Sequence, residues 1–127
     1  MDEMAARAFA AVWLPAWTGN DPVRLVSFYT GDADYSDPAV PDGIKGRQAL
    51  LGYFTKLLAR NPDWVWTHSG SIPLKDGFLN RWHALVPVGG ETVELAGVCS
   101  VQLREGLIYL RVPSSRVTFV RLEPPLV

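Results

Sequence analysis

The chain has 127 residues, 48% hydrophobic and 20% charged, with twelve basic residues set against thirteen acidic ones for a formal net charge of −1. That length and composition describe one globular domain, residues 1–127, and exclude a disordered tail or a coiled coil. The balanced charge argues against a nucleic-acid grip, no apolar run approaches the roughly 20 residues that cross a bilayer, and the single cysteine, Cys99, cannot form an intrachain disulfide. Met1-Asp2-Glu3-Met4 lacks the basic start of a signal peptide, so the expected location is the cytoplasm.

The first segment reads as a helix. Met4, Ala5, Ala8, Phe9, Val12, Trp13 and Ala16 recur at helical spacing, and Asp2 is placed to cap them. Pro15 predicts a kink or an early last turn, because proline inside a regular helix costs about 3 kcal/mol. Thr18-Gly19-Asn20 is a stop, and Asp21-Pro22 begins a second, short helix running to about Tyr29. An extended piece at Ala33 to Asp37 precedes a Pro/Gly-rich loop. A third helix spans Gly46 to Arg60, with Ala49, Leu50, Tyr53, Phe54, Leu57 and Leu58 expected on its buried side.

From Trp64 onward the pattern is antiparallel sheet. Strands at about Trp64–Leu74 and Phe78–Val86 are joined by Lys75-Asp76-Gly77, a turn that invites positive φ at Gly77. Gly89-Gly90 turns into a long strand, Thr92–Arg104, and Glu105-Gly106 turns into Leu107–Val112. Pro113-Ser114-Ser115 interrupts the pattern before a last strand, Arg116–Leu122. Three helices followed by hairpin-linked strands define an α+β domain whose sheet curls around the helices.

The density of tryptophan, five in all, points to either a heavily packed core or a pocket walled by rings. Trp13, Trp17, Phe54, Trp66, Trp82 and the small side chain of Cys99 are the expected walls. Asp37 has two readings. Before Pro38 it suits an Asx turn that caps its own backbone, and at the mouth of an apolar cavity it suits a general base. Tyr35, two residues earlier on the same strand face, is either its polar companion or a half-buried strand tyrosine. In Leu79-Asn80-Arg81-Trp82-His83-Ala84-Leu85 the alternation puts Arg81 and His83 on one face and Asn80, Trp82 and Ala84 on the other. Arg81 and His83 either line the pocket as polar groups, with His83 able to give or take a proton near neutrality, or lie on the solvated face. His68 reads as a surface or hairpin residue. Two histidines and one cysteine, widely separated, form no metal-ligand spacing, and no phosphate-binding glycine loop or nucleophile elbow is present.

Trp13, Trp17 and Asp21, then Asp32-Ala33-Asp34-Tyr35-Ser36-Asp37-Pro38, Ile44-Lys45-Gly46-Arg47, Tyr53-Phe54 and Pro62-Asp63, together resemble the SnoaL-like branch of the nuclear transport factor two-like superfamily. That group includes ketosteroid isomerases, polyketide cyclases and limonene epoxide hydrolases. The resemblance implies a cone: a strongly curved, mostly antiparallel sheet packed on three N-terminal helices, enclosing an apolar cavity, in a homodimer. It places Asp37 at the isomerase base position. Tyr35 and Asp37 resemble the hydrolases' Tyr-x-Asn, and Arg81 and His83 their Arg-x-Asp. It also marks departures. Trp13 and Cys99 stand where the isomerases have their oxyanion-binding tyrosine and protonated acid, and Val112-Pro113-Ser114-Ser115-Arg116 has no acid where cyclases and hydrolases carry an aspartate. The resulting expectation is a cofactor-independent enzyme acting on a small apolar cyclic or polyketide-like molecule. Asp37 would be the general base, His83 the acid or a second base, and Tyr35 and Arg81 the orienting groups. A non-catalytic binder and a homodimeric interaction module with a filled cone are the alternatives on the same fold.

Overall fold

A computed structural model describes residues 1–113 and the backbone of residues 118–123. Helix α1, Glu3–Trp13, starts where Asp2 Oδ1 accepts a 2.7 Å hydrogen bond from the Ala5 amide. Pro15 ends it early, as expected: the chain tightens into a 3₁₀ turn over Leu14–Trp17, a geometry proline tolerates near its start. The buried stripe is displaced from the expected one. Ala6, Phe9, Ala10 and Trp13 face inward, while Met4 (81% exposed), Ala5, Ala8 and Val12 face out. Alanines on both sides of the helix made two stripes plausible. The one with Ala6 and Ala10 one turn apart lets the helix lie close on the sheet.

Asp21 Oδ1 accepts from the Arg24 amide at 3.1 Å and Pro22 opens α2, Pro22–Val26. This helix is shorter than expected. Tyr29 instead begins strand β1, Tyr29–Asp37, because the Phe28 carbonyl accepts from the Ile108 amide at 2.8 Å and draws the chain into the sheet. Strand β2, Val40–Lys45, occupies the stretch expected to be loop. Pro41, Asp42 and Gly43 erase any strand alternation, and they are tolerated because β2 is an edge strand, paired only with β1 among the described residues. Helix α3, Arg47–Arg60, fully buries Leu50, Phe54 and Leu58, whereas Ala49, expected to be buried, is exposed.

The remaining strands are β3 Val65–Leu74, β4 Gly77–Val88, β5 Glu91–Arg104, β6 Leu107–Pro113 and β7 Thr118–Glu123. The sheet runs β2-β1-β6-β5-β4-β3, with β1 and β6 parallel and the other pairs antiparallel. Long β5 serves two neighbours along one edge, β6 against residues 99–104 and β7 against residues 92–96. Ser114, Ser115 and Arg116, the expected break and the start of the last strand, lie outside the described residues. Gly89 and Gly90 sit at φ 55° and 84°, the two-residue hairpin the sequence predicts. Gly77 does not adopt positive φ. It is glycine because a Cβ there would stand 2.0 Å from the Val101 carbonyl oxygen across the ladder.

Register slips interrupt five of the six strand pairings among the described residues, and two of them, on β3 and β6, re-aim strands beside the cavity. On β3 one extra residue, Ser69, separates the pairs His68–Trp82 and Gly70–Arg81. On β6 the extra residue is Tyr109, since Ile108 pairs with Leu103 and Leu110 with Gln102. A bulge resets the inward/outward alternation of everything beyond it. Ile108 and Arg111, which strict alternation would put on opposite faces, are therefore both buried.

Candidate functional site

The curved sheet and the helices enclose a cavity of about 220 Å³. Trp13 and Trp17 enter it from the first helical segment, Tyr35 and Asp37 from the end of β1, and Trp66, Trp82 and Cys99 from the sheet. Phe54 does not line it. Its ring is fully buried one layer behind, 5.3 Å from both the Trp17 and Tyr35 rings. The side chains of the described residues leave this space open.

Arg81 and His83 are not in the cavity. On β4, Phe78, Asn80, Trp82 and Ala84 take the buried face, leaving Arg81 exposed and His83 half-buried outside, with its Nε2 2.5 Å from Glu94 Oε1. Of the two faces the alternation offered, the apolar Phe78/Trp82/Ala84 set decides which one is buried. The four expected polar groups thus divide: Tyr35 and Asp37 meet in the cavity, and Arg81 and His83 lie across the sheet from them. His68 is half-buried and within 2.7 Å of Ser71 Oγ.

The two oxygens of Asp37 have different partners. Oδ1 accepts from the Ala39 and Val40 amides at 2.8 and 3.0 Å, closing the Asx turn that carries the chain from β1 into β2. Oδ2 accepts from the Tyr35 and Tyr53 hydroxyls, each at 2.7 Å. The turn fixes the carboxyl, and the phenols aim its second oxygen along the cavity wall. Tyr53, which comes from α3, counted in the sequence only as a buried helix residue. Burial pushes the Tyr35, Tyr53 and Tyr29 phenols above their ordinary range; at Tyr53 the Asp37 carboxylate adds to it, and at Tyr35 the Arg111 charge opposes it while Tyr29 and Asp37 add to it.

Those shifts carry a sign for stability. A phenol whose folded pKa is raised supports the fold fully below its unfolded value of about 10, and that support is lost as pH rises beyond it. Denaturation midpoints are therefore expected to hold steady from pH 7 to 9 as far as these groups are concerned and to fall above pH 10. Absorbance near 295 nm should show the phenolates of Tyr29, Tyr35 and Tyr53 appearing together with unfolding. Titration of all three near 10 in a folded chain would contradict this arrangement.

Two further polar residues on the cavity wall escaped the sequence reading. Asn80 is fully buried, with its Nδ2 making only a long 3.7 Å contact to Cys99 Sγ. Arg111 is 8% exposed; its Nη1 donates to the Ser36 carbonyl at 2.7 Å and its guanidinium lies over the Tyr35 ring, 5.2 Å from the centroid. Asn80 was visible as the residue sharing a face with Trp82. Arg111 was hidden by the Tyr109 bulge.

With this geometry in hand, the comparison with known proteins is direct. The SnoaL-like domain family matches residues 7–111, and the chain belongs to it. Among curated proteins nothing matches. Among solved structures it is similar to Rv0760c of Mycobacterium tuberculosis, at 20% identity over 94% of this chain and 99% of that one, with a TM-score of 0.75. It also resembles an LEH-like epoxide hydrolase of M. tuberculosis (14% identity, 86% and 80% covered, TM-score 0.70) and a computationally designed 17-OHP binder (19% identity, 94% and 98% covered, TM-score 0.72). At these identities the structures establish the shared cone. No helix among the described residues is long and apolar enough to cross a membrane.

Proposed function

We propose that the chain is a cofactor-independent enzyme that moves a proton beside a carbonyl of a small, largely apolar cyclic or polyketide-like molecule, in an isomerisation or cyclisation. The observation that carries this reading is the Asp37 carboxylate, held by four hydrogen-bond donors on the wall of an aromatic cavity. A base fixed by its own turn needs no rearrangement to meet a C–H acid lying against the tryptophans, and positioned general bases contribute about 10²–10⁴-fold. In an isomerisation Asp37 takes the proton from carbon and returns it to a second carbon; in a cyclisation the carbanion so formed attacks a carbonyl carbon of the same molecule and Asp37 returns the proton to the resulting alkoxide oxygen. His83 has no part in this, being outside the cavity. Tyr35 and Tyr53 orient the carboxylate. We place the work in a homodimer, as the family resemblance implies.

The test uses 2-tetralone in deuterium oxide, with loss of its C1 proton signal read by NMR. The wild type is expected to speed exchange about 100-fold or more over buffer, and Asp37→Asn to abolish the gain. The fold should survive, because tyrosine hydroxyls can rotate to accept from the amide. Equal exchange by the variant would overturn the assignment of the base. A second reading, a binder without turnover, is favoured by the saturation of Asp37 with donors. Binding of 2-tetralone with exchange no faster than in buffer would establish that reading instead.

A further inference from the structure

The cavity carries a charge that the proton-transfer reading does not use. Arg111 is among the few polar side chains buried in the described residues, and no carboxylate oxygen among them lies within 4.0 Å of its guanidinium nitrogens. It donates to the Ser36 carbonyl and lies over the Tyr35 ring, and its Nε makes no hydrogen bond among the described residues. The Asp37 charge acts on Arg111 from a distance, but the two make no ion-pair contact, and the Asp37 oxygens bond the turn and the two phenols instead. A buried guanidinium is ordinarily paired, and its planar donors fit a carboxylate or an acidic enolate better than any other partner.

The other unpaired groups on the wall lean the same way. The indole N–H groups of Trp66 and Trp82 are buried with no acceptor among the described residues. The Asn80 amide oxygen is the single buried wall acceptor among these residues that lacks a donor. Donors outnumber acceptors, so the complementary ligand is rich in acceptor oxygens. Its remainder must be flat and apolar enough to lie among tryptophans in about 220 Å³.

From this we propose that the cavity selects acidic ligands: a small aromatic or alicyclic body carrying a carboxylate or an acidic 1,3-dicarbonyl oxygen that pairs with Arg111 and accepts from the indole N–H groups. This names the substrate class of the same cavity and adds an anchor distinct from Asp37. Electrostatic pairing in a low-dielectric pocket discriminates an anion from its neutral isostere far better than an exposed arginine could.

The experiment compares 2-naphthoate with 2-acetylnaphthalene, which share ring and shape but differ in charge, by calorimetric titration of the full chain. The wild type is expected to bind 2-naphthoate at least about 10-fold more tightly. Arg111→Met should erase that preference, and Arg111→Lys should retain part of it. Equal affinity for the two probes in the wild type overturns the proposal without recourse to any variant, and so does a preference that survives Arg111→Met. 2-Naphthoate has no exchangeable proton beside its carboxylate, so its binding reports on the anchor alone, whereas exchange on 2-tetralone reports on Asp37 alone. The failure of one leaves the other standing.

Discussion

Replacing Trp17 by alanine is expected to lower stability by about 3–5 kcal/mol, the range for deleting a large buried aromatic side chain. The indole is the hub of the aromatic core, with ring centroids 5.3 Å from Phe54, 6.0 Å from Trp66, 6.3 Å from Trp13 and 6.4 Å from both Tyr35 and Trp64. Its backbone carbonyl also accepts from the Trp64 indole, tying the 3₁₀ turn to the start of the sheet. A domain of this size has only about 5–15 kcal/mol in total, so the variant sits near the edge of folding. The expected readout is a melting temperature lower by roughly 10–20 °C. A change within a few degrees would mean that the rings around Trp17 close over the gap, and that the cavity is far more plastic than the packing implies.

The second large effect is at Gly97, which faces Trp82 across the β4–β5 ladder. A Cβ at this position would lie 2.3 Å from the Trp82 ring, closer than any real contact, so the ring has to move. The Trp66 ring, tilted 59° to Trp82 at a centroid distance of 4.7 Å, resists movement toward itself, which leaves the cavity as the open direction. Gly97→Ala is therefore expected to cost about 1–3 kcal/mol in strain. It should also weaken binding of 2-naphthoate and 2-acetylnaphthalene alike by about 10-fold or more, because ring volume is displaced into the space they occupy. Titration of both probes against the variant checks this. Undiminished affinity would show that Trp82 is not a wall of the binding space.

The sequence was most legible where one residue's chemistry fixes one local geometry. Asp2, Pro15, Asp21-Pro22 and Gly89-Gly90 mark boundaries that the structure keeps. So do the aromatic walls, since Trp13, Trp17, Trp66 and Trp82 have few places to go but inward in a small domain. Legibility failed where two faces were chemically alike or where the ladder slips. The alanine-rich α1 offered two stripes. Strand β2 is written in loop residues because an edge strand needs only one partner. Arg81 and His83 fell on the outer face, for alternation gives parity but not which parity is inside. Asp37 was legible as a turn residue beside a cavity, yet the division of its partners, with Oδ1 in the turn and Oδ2 on the two phenols, is a distinction no spacing argument can reach.

The bulge at Tyr109 has a consequence for how this cone acquires new chemistry. One extra residue in β6 turns Arg111 inward while Ile108, on the near side of the bulge, keeps its place in the core. A strand with such a slip presents its two ends to the interior independently, so the composition of the pocket changes by gaining or losing a single residue, with no substitution at the wall. Relatives can therefore share the cone while differing in which charge, if any, faces the ligand. Comparing them column by column would miss the difference. The informative quantity is the phase of each strand on either side of its slip.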